Sequence, residues 1–411
     1  MKNRRSLSAI SSVLTVLLLA AVVVTGSRAV PSVSAAEEPL YMFNVIGDMQ
    51  IGDQGCYDEE NYQAALEDIK SISPETKAIL TVGDHTNNGT EAEYEKLGEI
   101  KNAVLPDIPM YYAIGNHDRG YVPGTAQNNT PTSTWMDRFI RYAKLSSGND
   151  SINNVYYSFQ LEGSYVIVLG SEVTSRNDHC NDVFISEAQY NWFNEQLETA
   201  AKTDKPIFVL IHEPFTNTVS GSLAGQGWQG NPNNPDFYPD NKYGDLKAAA
   251  DKYPQAVVFS GHTHWKFDSK QPAIITDGKT KASYFNCSAV GYLWNDNNTG
   301  VRDGAGKWTG SEGLYVYVYT DKIVVKGRDF TNQKWVLEKT ISLTGENPGD
   351  SSDPTPGTQP TEKPASPAPS DTSDHTTTWI IVGVCAAAVI LAAIAIGVVV
   401  SSKKKGTGNE K

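Results

Sequence analysis

The chain has 411 residues and a formal net charge of −13, with 47 acidic against 34 basic side chains. An acidic balance of that size gives no general attraction to nucleic acid or anionic lipid, so neither is expected as a partner of the folded part. The four cysteines include no C-x-x-C pair, and Cys56, Cys180 and Cys287 allow one disulfide with one thiol left over, so the scaffold does not depend on cross-links.

The N-terminus places Lys2, Arg4 and Arg5 before an apolar run from about Ala9 to Val24 and a small-residue site at Val33-Ser34-Ala35. That order reads as a secretory signal peptide over residues 1–36, cleaved after Ala35 or Ala36. Tyr41 to Ile46 reads as a buried strand ending in Gly47-Asp48, and Tyr62 to Ile72 as a helix. A second strand, Ala78 to Val82, ends in Gly83-Asp84; a helix follows over Glu91 to Val104. A third strand, Met110 to Ile114, ends in Gly115-Asn116. Strands alternating with helices predict an α/β layered fold.

Val155 to Leu161 and Ser164 to Gly170 read as a hairpin around Glu162-Gly163. Ser186 to Ala201 reads as a helix with Ser186 as N-cap, Gln189 closing a capping box, and Trp192, Phe193 and Leu197 on the apolar face. Pro206 to His212 and Ala256 to Ser260 read as further buried strands. Leu314 to Thr320 and Lys322 to Arg328 read as an antiparallel pair, with Trp335 to Leu343 as one more strand. Residues 37–346 thus form one domain of two sheets with helices outside.

Residues 347–378 are rich in Pro, Ser and Thr, a composition that cannot bury enough apolar surface to offset its entropy, and read as a stalk. Residues 379–400 carry no charge and, at ~1.5 Å per residue, are long enough to cross a ~30 Å hydrocarbon core. Trp379 opens this run and Lys403, Lys404 and Lys405 follow it, which predicts a single-pass helix in the cell membrane. The tail at 401–411 would be cytoplasmic and the folded domain extracellular.

Five apolar runs deliver oxygen or imidazole groups at their carboxyl ends: Asp48-Met49-Gln50, Asp84-His85, Asn116-His117-Asp118, His212 and His262-Thr263-His264. That edge is where sites form in open α/β sheets. Five of the seven histidines lie there. Carboxylate, carboxamide and imidazole together suit Zn, Mn, Fe or Ni, and two such ions can clamp a phosphate and activate a water.

The ordered set G-D-x, G-D-x-x-N, G-N-H-D, strand-H and G-H-x-H resembles the calcineurin-like metallophosphoesterase superfamily over about residues 40–330. The resemblance implies a four-layer αββα sandwich of two mixed β-sheets. It also implies a binuclear-metal enzyme hydrolysing phosphate mono- or diesters through a metal-bridged hydroxide. By it, Asp84 bridges both ions, Asp48 and His264 hold the first, and Asn116, His212 and His262 hold the second. His117 contacts the phosphate and protonates or stabilises the leaving oxygen, and Asp118 orients His117. Asn87 supports the bridging aspartate.

The first block departs from the usual D-x-H, having Gln50, a weaker neutral ligand, where imidazole is expected. The purple acid phosphatase branch also lacks that histidine, but carries a tyrosine where this chain has Asn87, so no tyrosinate–iron site is expected. His85 reads as a solvated loop histidine. Polar stretches over 119–134 and 216–245, the latter with Trp228, Phe237, Tyr238 and Tyr243, are expected to rim a substrate cleft, with Trp228 or Tyr238 stacking on an organic group. Two other readings stay open: a non-catalytic surface protein with a degraded metal site, motivated by Gln50, and a 5′-nucleotidase-like enzyme.

Overall fold

A computed structural model describes residues 37–120, 132–173, 183–226, 240–274 and 281–344. The expected signal peptide, stalk, membrane-spanning run at 379–400 and basic tail fall outside these residues. Among the described residues no helix is long and apolar enough to cross a membrane.

The first sheet is built on three parallel strands, β1 (Tyr41–Ile46), β2 (Ile79–Thr81) and β3 (Met110–Tyr112). The chain returns late to extend it. β12 (Glu312–Val318) pairs antiparallel with β1, and β13 (Lys322–Asp329) and β14 (Lys334–Ser342) follow outward, giving the order β14-β13-β12-β1-β2-β3.

The second sheet starts with β4 (Tyr157–Leu161) and β5 (Ser164–Val168), joined at Glu162 (φ 50°) and Gly163 (φ 85°). Two consecutive left-handed residues make the tight turn that matches strand twist. β6 (Ile207–Ile211), β7 (Ala256–Ser260), β9 (Ser283–Asn286) and the short β8 (Ala273–Ile274) complete the order β4-β5-β6-β7-β9-β8. Both sheets are mixed, as expected. A two-stranded ribbon, β10 (Trp294–Asn295) with β11 (Thr299–Gly300), stands apart from both.

The two-residue period of the second sheet sorts its side chains into two cores. Phe208 and Leu210 of β6 and Val257 and Phe259 of β7 point between the sheets, where Phe43 of β1 meets the Phe208 ring edge-on at 4.8 Å. Ile207, Val209, Ile211, Ala256 and Val258 point the other way. There they pack on Phe193 and Leu197 of α4 (Glu187–Ala200) and on Leu246 and Ala250 of α5 (Tyr243–Ala250). On the outer side of the first sheet lie α1 (Asp58–Ile72), α2 (Glu91–Val104) and α3 (Thr132–Ser147). Asp68 of α1 takes the Arg328 guanidinium from β13 at 2.9 Å, and Phe139 of α3 packs near Tyr112 of β3.

The capping box forms at a different helix from the one expected. Ser186 caps α4 by accepting from Gln189 N, but the Gln189 amide is held by the Gly170 backbone and Glu172, and Glu172 takes Ser186 N. The reciprocal box is at α2, between Thr90 and Glu93. Cys56 and Cys287 are buried and free; Cys180 lies outside the described residues.

Candidate metal centre

Parallel pairing between β1 and β2 continues beyond both strands. Asp48 N donates to Gly83 O (2.9 Å), Gln50 N to Asp84 O (3.0 Å) and Ile51 N to His85 O (3.1 Å). The two loops are thereby zipped together with Asp48, Gln50 and Asp84 on their inner side. These three residues, with His262 and His264, all have φ between 49° and 68°. For residues with a Cβ the left-handed region costs roughly 1–2 kcal/mol each, so five such residues at one place mark stored strain at a site.

The preceding glycines have a steric reason. A Cβ on Gly115 would fall 2.1 Å from Asp84 Oδ1, and one on Gly261 2.4 Å from Asp48 Oδ2. Gly83 has φ +103°, and its Cβ would meet His212 Nδ1 at 2.6 Å.

The expected ligands converge. His212 Nε2 lies 2.9 Å from Asn116 Oδ1 and 3.3 Å from Asp84 Oδ2, and His262 Nδ1 lies 3.0 Å from the same Asn116 oxygen. On the other side, His264 Nε2 is 3.1 Å from Asp48 Oδ1, and Gln50 Nε2 donates to Asp84 Oδ2 at 3.1 Å. Two three-residue groups, Asp84/His212/His262 and Asp48/Asp84/His264, each bring their donor atoms within 4.8 Å of one another, and all five residues are buried. Asp84 belongs to both.

The residues fit a pair of metal ions. The far nitrogens of two imidazoles are engaged, His212 Nδ1 with Val82 O (2.8 Å) and His264 Nδ1 with Tyr292 O (2.9 Å), which turns each Nε2 inward. Gln50 Oε1 is buried without a hydrogen-bond partner, an orphan acceptor of the kind a cation satisfies.

The electrostatics agree. Burial works against ionisation of Asp84, yet the imidazoles of His212 and His117 hold its carboxyl well below the usual range. Burial also disfavours charge on His212, but the Asp84 carboxylate outweighs it and pushes the imidazole up to about 10. Burial and the neighbouring His212 push His262 down. The Asp84 carboxylate is thus held anionic by the imidazoles that surround it.

His117 is half-buried at the edge of this cluster. Its backbone N–H donates to Asp84 Oδ1 (2.9 Å), and its Nδ1 meets the Asn87 carbonyl (2.8 Å). The expectation that Asp118 orients this ring is corrected. Asp118 Oδ2 accepts from His85 Nδ1 (2.9 Å) and Gly115 N (3.0 Å), and Oδ1 from Thr86 N (3.1 Å) and Thr86 Oγ1 (2.9 Å). Burial opposes its charge, but the His85 imidazole holds the carboxyl below its ordinary value. His85 is not solvated either. It is fully buried, with Nε2 2.5 Å from Thr81 Oγ1. The buried Asp118 carboxylate faces backward and binds the Asp84 loop to the Asn116 loop, while a main-chain carbonyl takes the orienting role at His117.

The family model for calcineurin-like phosphoesterases matches residues 41–266, more than half of the chain. The chain belongs to the calcineurin-like phosphoesterases. It is similar to a 3′,5′-cyclic-nucleotide phosphodiesterase of Nostoc sp., 23% identical over 251 residues that cover 61% of this chain and 79% of that one. It is also similar to the serine/threonine-protein phosphatase CPPED1 of Danio rerio, 26% identical over 268 residues covering 62% and 74%. In fold it resembles the crystal structure of a dimetal phosphatase from Danio rerio, with TM-score 0.50, 14% identity, and 74% of this chain and all of that one covered. A purple acid phosphatase from yellow lupin seeds gives TM-score 0.50 at 13% identity, over 74% and 54%.

For a calcineurin-like phosphoesterase, two features escaped the sequence reading. Arg119, directly after the G-N-H-D block, is wholly buried and donates to Glu213 Oε1 (2.8 Å) and Ser171 Oγ (2.7 Å). It ties the Asn116 loop to the residue following His212. Tyr243, expected at a cleft rim, is instead buried, and its hydroxyl donates to Glu213 O (3.0 Å) and Pro214 O (2.7 Å). Trp228, Phe237 and Tyr238 lie outside the described residues. An Arg paired with Glu one position after G-N-H-D was open to notice, because a charged residue so close to buried ligands needs a partner.

Proposed function

We propose that this chain is a binuclear-metal phosphoesterase that hydrolyses phosphate mono- or diesters outside the cell, tethered by the apolar run at 379–400. The sharing of Asp84 between two buried donor groups carries the reading. In it Asp48, Gln50, Asp84 and His264 hold one ion, and Asp84, Asn116, His212 and His262 the other. Mn, Fe, Zn and Ni all suit this donor set. When bound, such a pair neutralises phosphate charge and activates a water.

The chain's own residues supply the rest. His117, half-buried at the edge of the cluster, keeps Nδ1 on the Asn87 carbonyl, which fixes the ring plane, and in this reading Nε2 is the nitrogen that meets the ester. As the imidazolium, with a second proton on Nε2, it would pass that proton to the departing oxygen or stabilise its charge, leaving a neutral imidazole. Asp118, His85 and Arg119 hold the loops that carry these groups. The relatives named as a cyclic-nucleotide phosphodiesterase and a protein phosphatase support ester hydrolysis while differing in substrate.

The test is to count bound metal in the purified full-length chain and to assay 4-nitrophenyl phosphate and bis-4-nitrophenyl phosphate with added Mn, Zn, Fe or Ni. Two ions with metal-dependent turnover are expected, and the ratio of the two rates separates monoesterase from diesterase. One ion or none, without turnover of either ester, would assign the chain to the non-catalytic reading that Gln50 motivates.

A further inference from the structure

A column of aromatic rings begins at a candidate ligand and runs outward. Tyr292 accepts His264 Nδ1 at its carbonyl (2.9 Å), and its ring lies 4.4 Å from the same imidazole, centroid to centroid. Trp308 follows at 5.5 Å from Tyr292, tilted by 32°, and Trp294 lies 6.0 Å from Trp308 at 16°. Trp265, fully buried, stacks beneath Trp294 at 5.9 Å and 20°. The exposed Arg302 lays its guanidinium carbon 3.4 Å from the Trp308 ring centre. Tyr292, Trp294 and Trp308 are each half-buried.

The column is held rigidly. Trp294 N donates to His264 O (2.7 Å) and Trp308 N to Gly55 O (2.9 Å). A Cβ on Gly300 would come within 1.8 Å of the Trp308 ring, so the indole lies directly on bare backbone. Every ring except Trp265 belongs to residues 292–308, beyond the 41–266 span that the family model matches. The metal-binding loops lie within that span, and this wall stands beside them. Substrate choice is usually carried on such connecting segments, positioned by a rigid scaffold.

We propose that Tyr292, Trp308 and Arg302 form a specificity wall that receives the planar organic group of the phosphate ester, an aryl ring or a nucleobase. The proposal rests on the phosphoesterase reading and deepens it. The aromatic faces and edges offer apolar contact and ring stacking to a π-system, and the guanidinium at the outer end extends the stack with a cation. An alkyl ester of the same phosphate would engage the metal centre alone.

The experiment is calorimetric titration of the metal-loaded full-length chain with methylphosphonate, phenylphosphonate and a nucleoside 5′-phosphonate, none of which is hydrolysed. Tryptophan emission is followed in parallel. Phenylphosphonate is expected to bind roughly tenfold tighter than methylphosphonate, and the aryl and nucleoside ligands alone should quench tryptophan emission. Trp308→Ala is expected to bring the aryl-to-methyl ratio close to one with methylphosphonate affinity and metal content unchanged. Arg302→Ala, at an exposed position that puts folding at little risk, is expected to lower the same ratio. Nucleoside binding tighter than phenyl would assign a nucleotide ester, and equal binding an aryl one. Equal affinity of the wild type for methyl and phenyl ligands would overturn the wall, as would a preference that survives both substitutions. If not even methylphosphonate binds the loaded protein, the phosphoesterase reading itself fails and the wall falls with it.

Discussion

Asp84 stands in both groups of candidate ligands, whereas each of the others stands in one. Asp84→Ala is therefore expected to take bound metal from two ions to one or none and to lower turnover by roughly a thousandfold, read by elemental analysis and an aryl phosphate assay. Asp118 acts through others. Its carboxylate collects donors from His85, Thr86 and Gly115, and Asn in its place would turn an amide N–H against some of them. Asp118→Asn is expected to weaken metal affinity by about 10–100-fold, the usual effect of losing a group that orients ligands, in a metal titration of a protein that still folds. Glu312 bears on stability. Burial pushes its carboxyl up to about 7, from 4.5 in the unfolded chain. The folded chain keeps that proton where the unfolded chain has released it, so the contribution is full below pH 4.5 and is lost as pH rises through about 7. Glu312→Gln should flatten that part of the curve of urea midpoint against pH. The residues that converge on the candidate site were legible because each lies within three positions of a strand-ending glycine or a strand end. The partners of Asp118 and His85 were not, because a carboxylate beside a histidine in sequence carries no sign of which way it faces.

The glycines before the ligands belong to the strand ends as units. Gly261→Ala would press a methyl against Asp48 Oδ2. It is expected to cost one ion rather than two, with the circular dichroism spectrum retained. At the other end of the Asp84 loop, α2 starts at a capping box in which Glu93 also binds Asn88. Thr90→Ala is expected to destabilise the fold by about 1 kcal/mol, a drop of a few degrees in Tm. β1, β7 and α2 were readable to the residue, since unbroken apolar runs or a clean cap-to-cap period bounded them. α3 was not legible although Trp135, Phe139 and Ala143 recur at four-residue spacing on its buried face, because only three apolar side chains of its sixteen residues are buried and its first turn, Thr132-Ser133-Thr134, is polar like the stretch before it. α5 is one short, alanine-rich piece at the end of another polar stretch, too brief for a period to show. β9 has Ser283 and Asn286 buried at its two ends, so no apolar run marks it.

Across the molecule, the first sheet supplies Asp48, Gln50, Asp84 and Asn116 while the second supplies His212, His262 and His264. An ion held by both joins the sheets and binds only the folded chain. Chelation is therefore expected to lower Tm by several degrees, restored on adding metal back, since saturation at about a hundred times Kd is worth ~2.7 kcal/mol. The layered architecture followed from strand–helix alternation, but the position of β12 did not, since pairing partners far apart in sequence leave no local mark. That position governs how the protein is made. β1 is among the first strands to leave the ribosome, yet one of its edges stays bare until residues 312–318 emerge to cover it. A nascent chain halted at residue 300 would already carry every candidate metal ligand, and would still present an open strand edge to its neighbours. Such a product invites aggregation and proteolysis before catalysis, so a message truncated late in this gene should yield no partial enzyme.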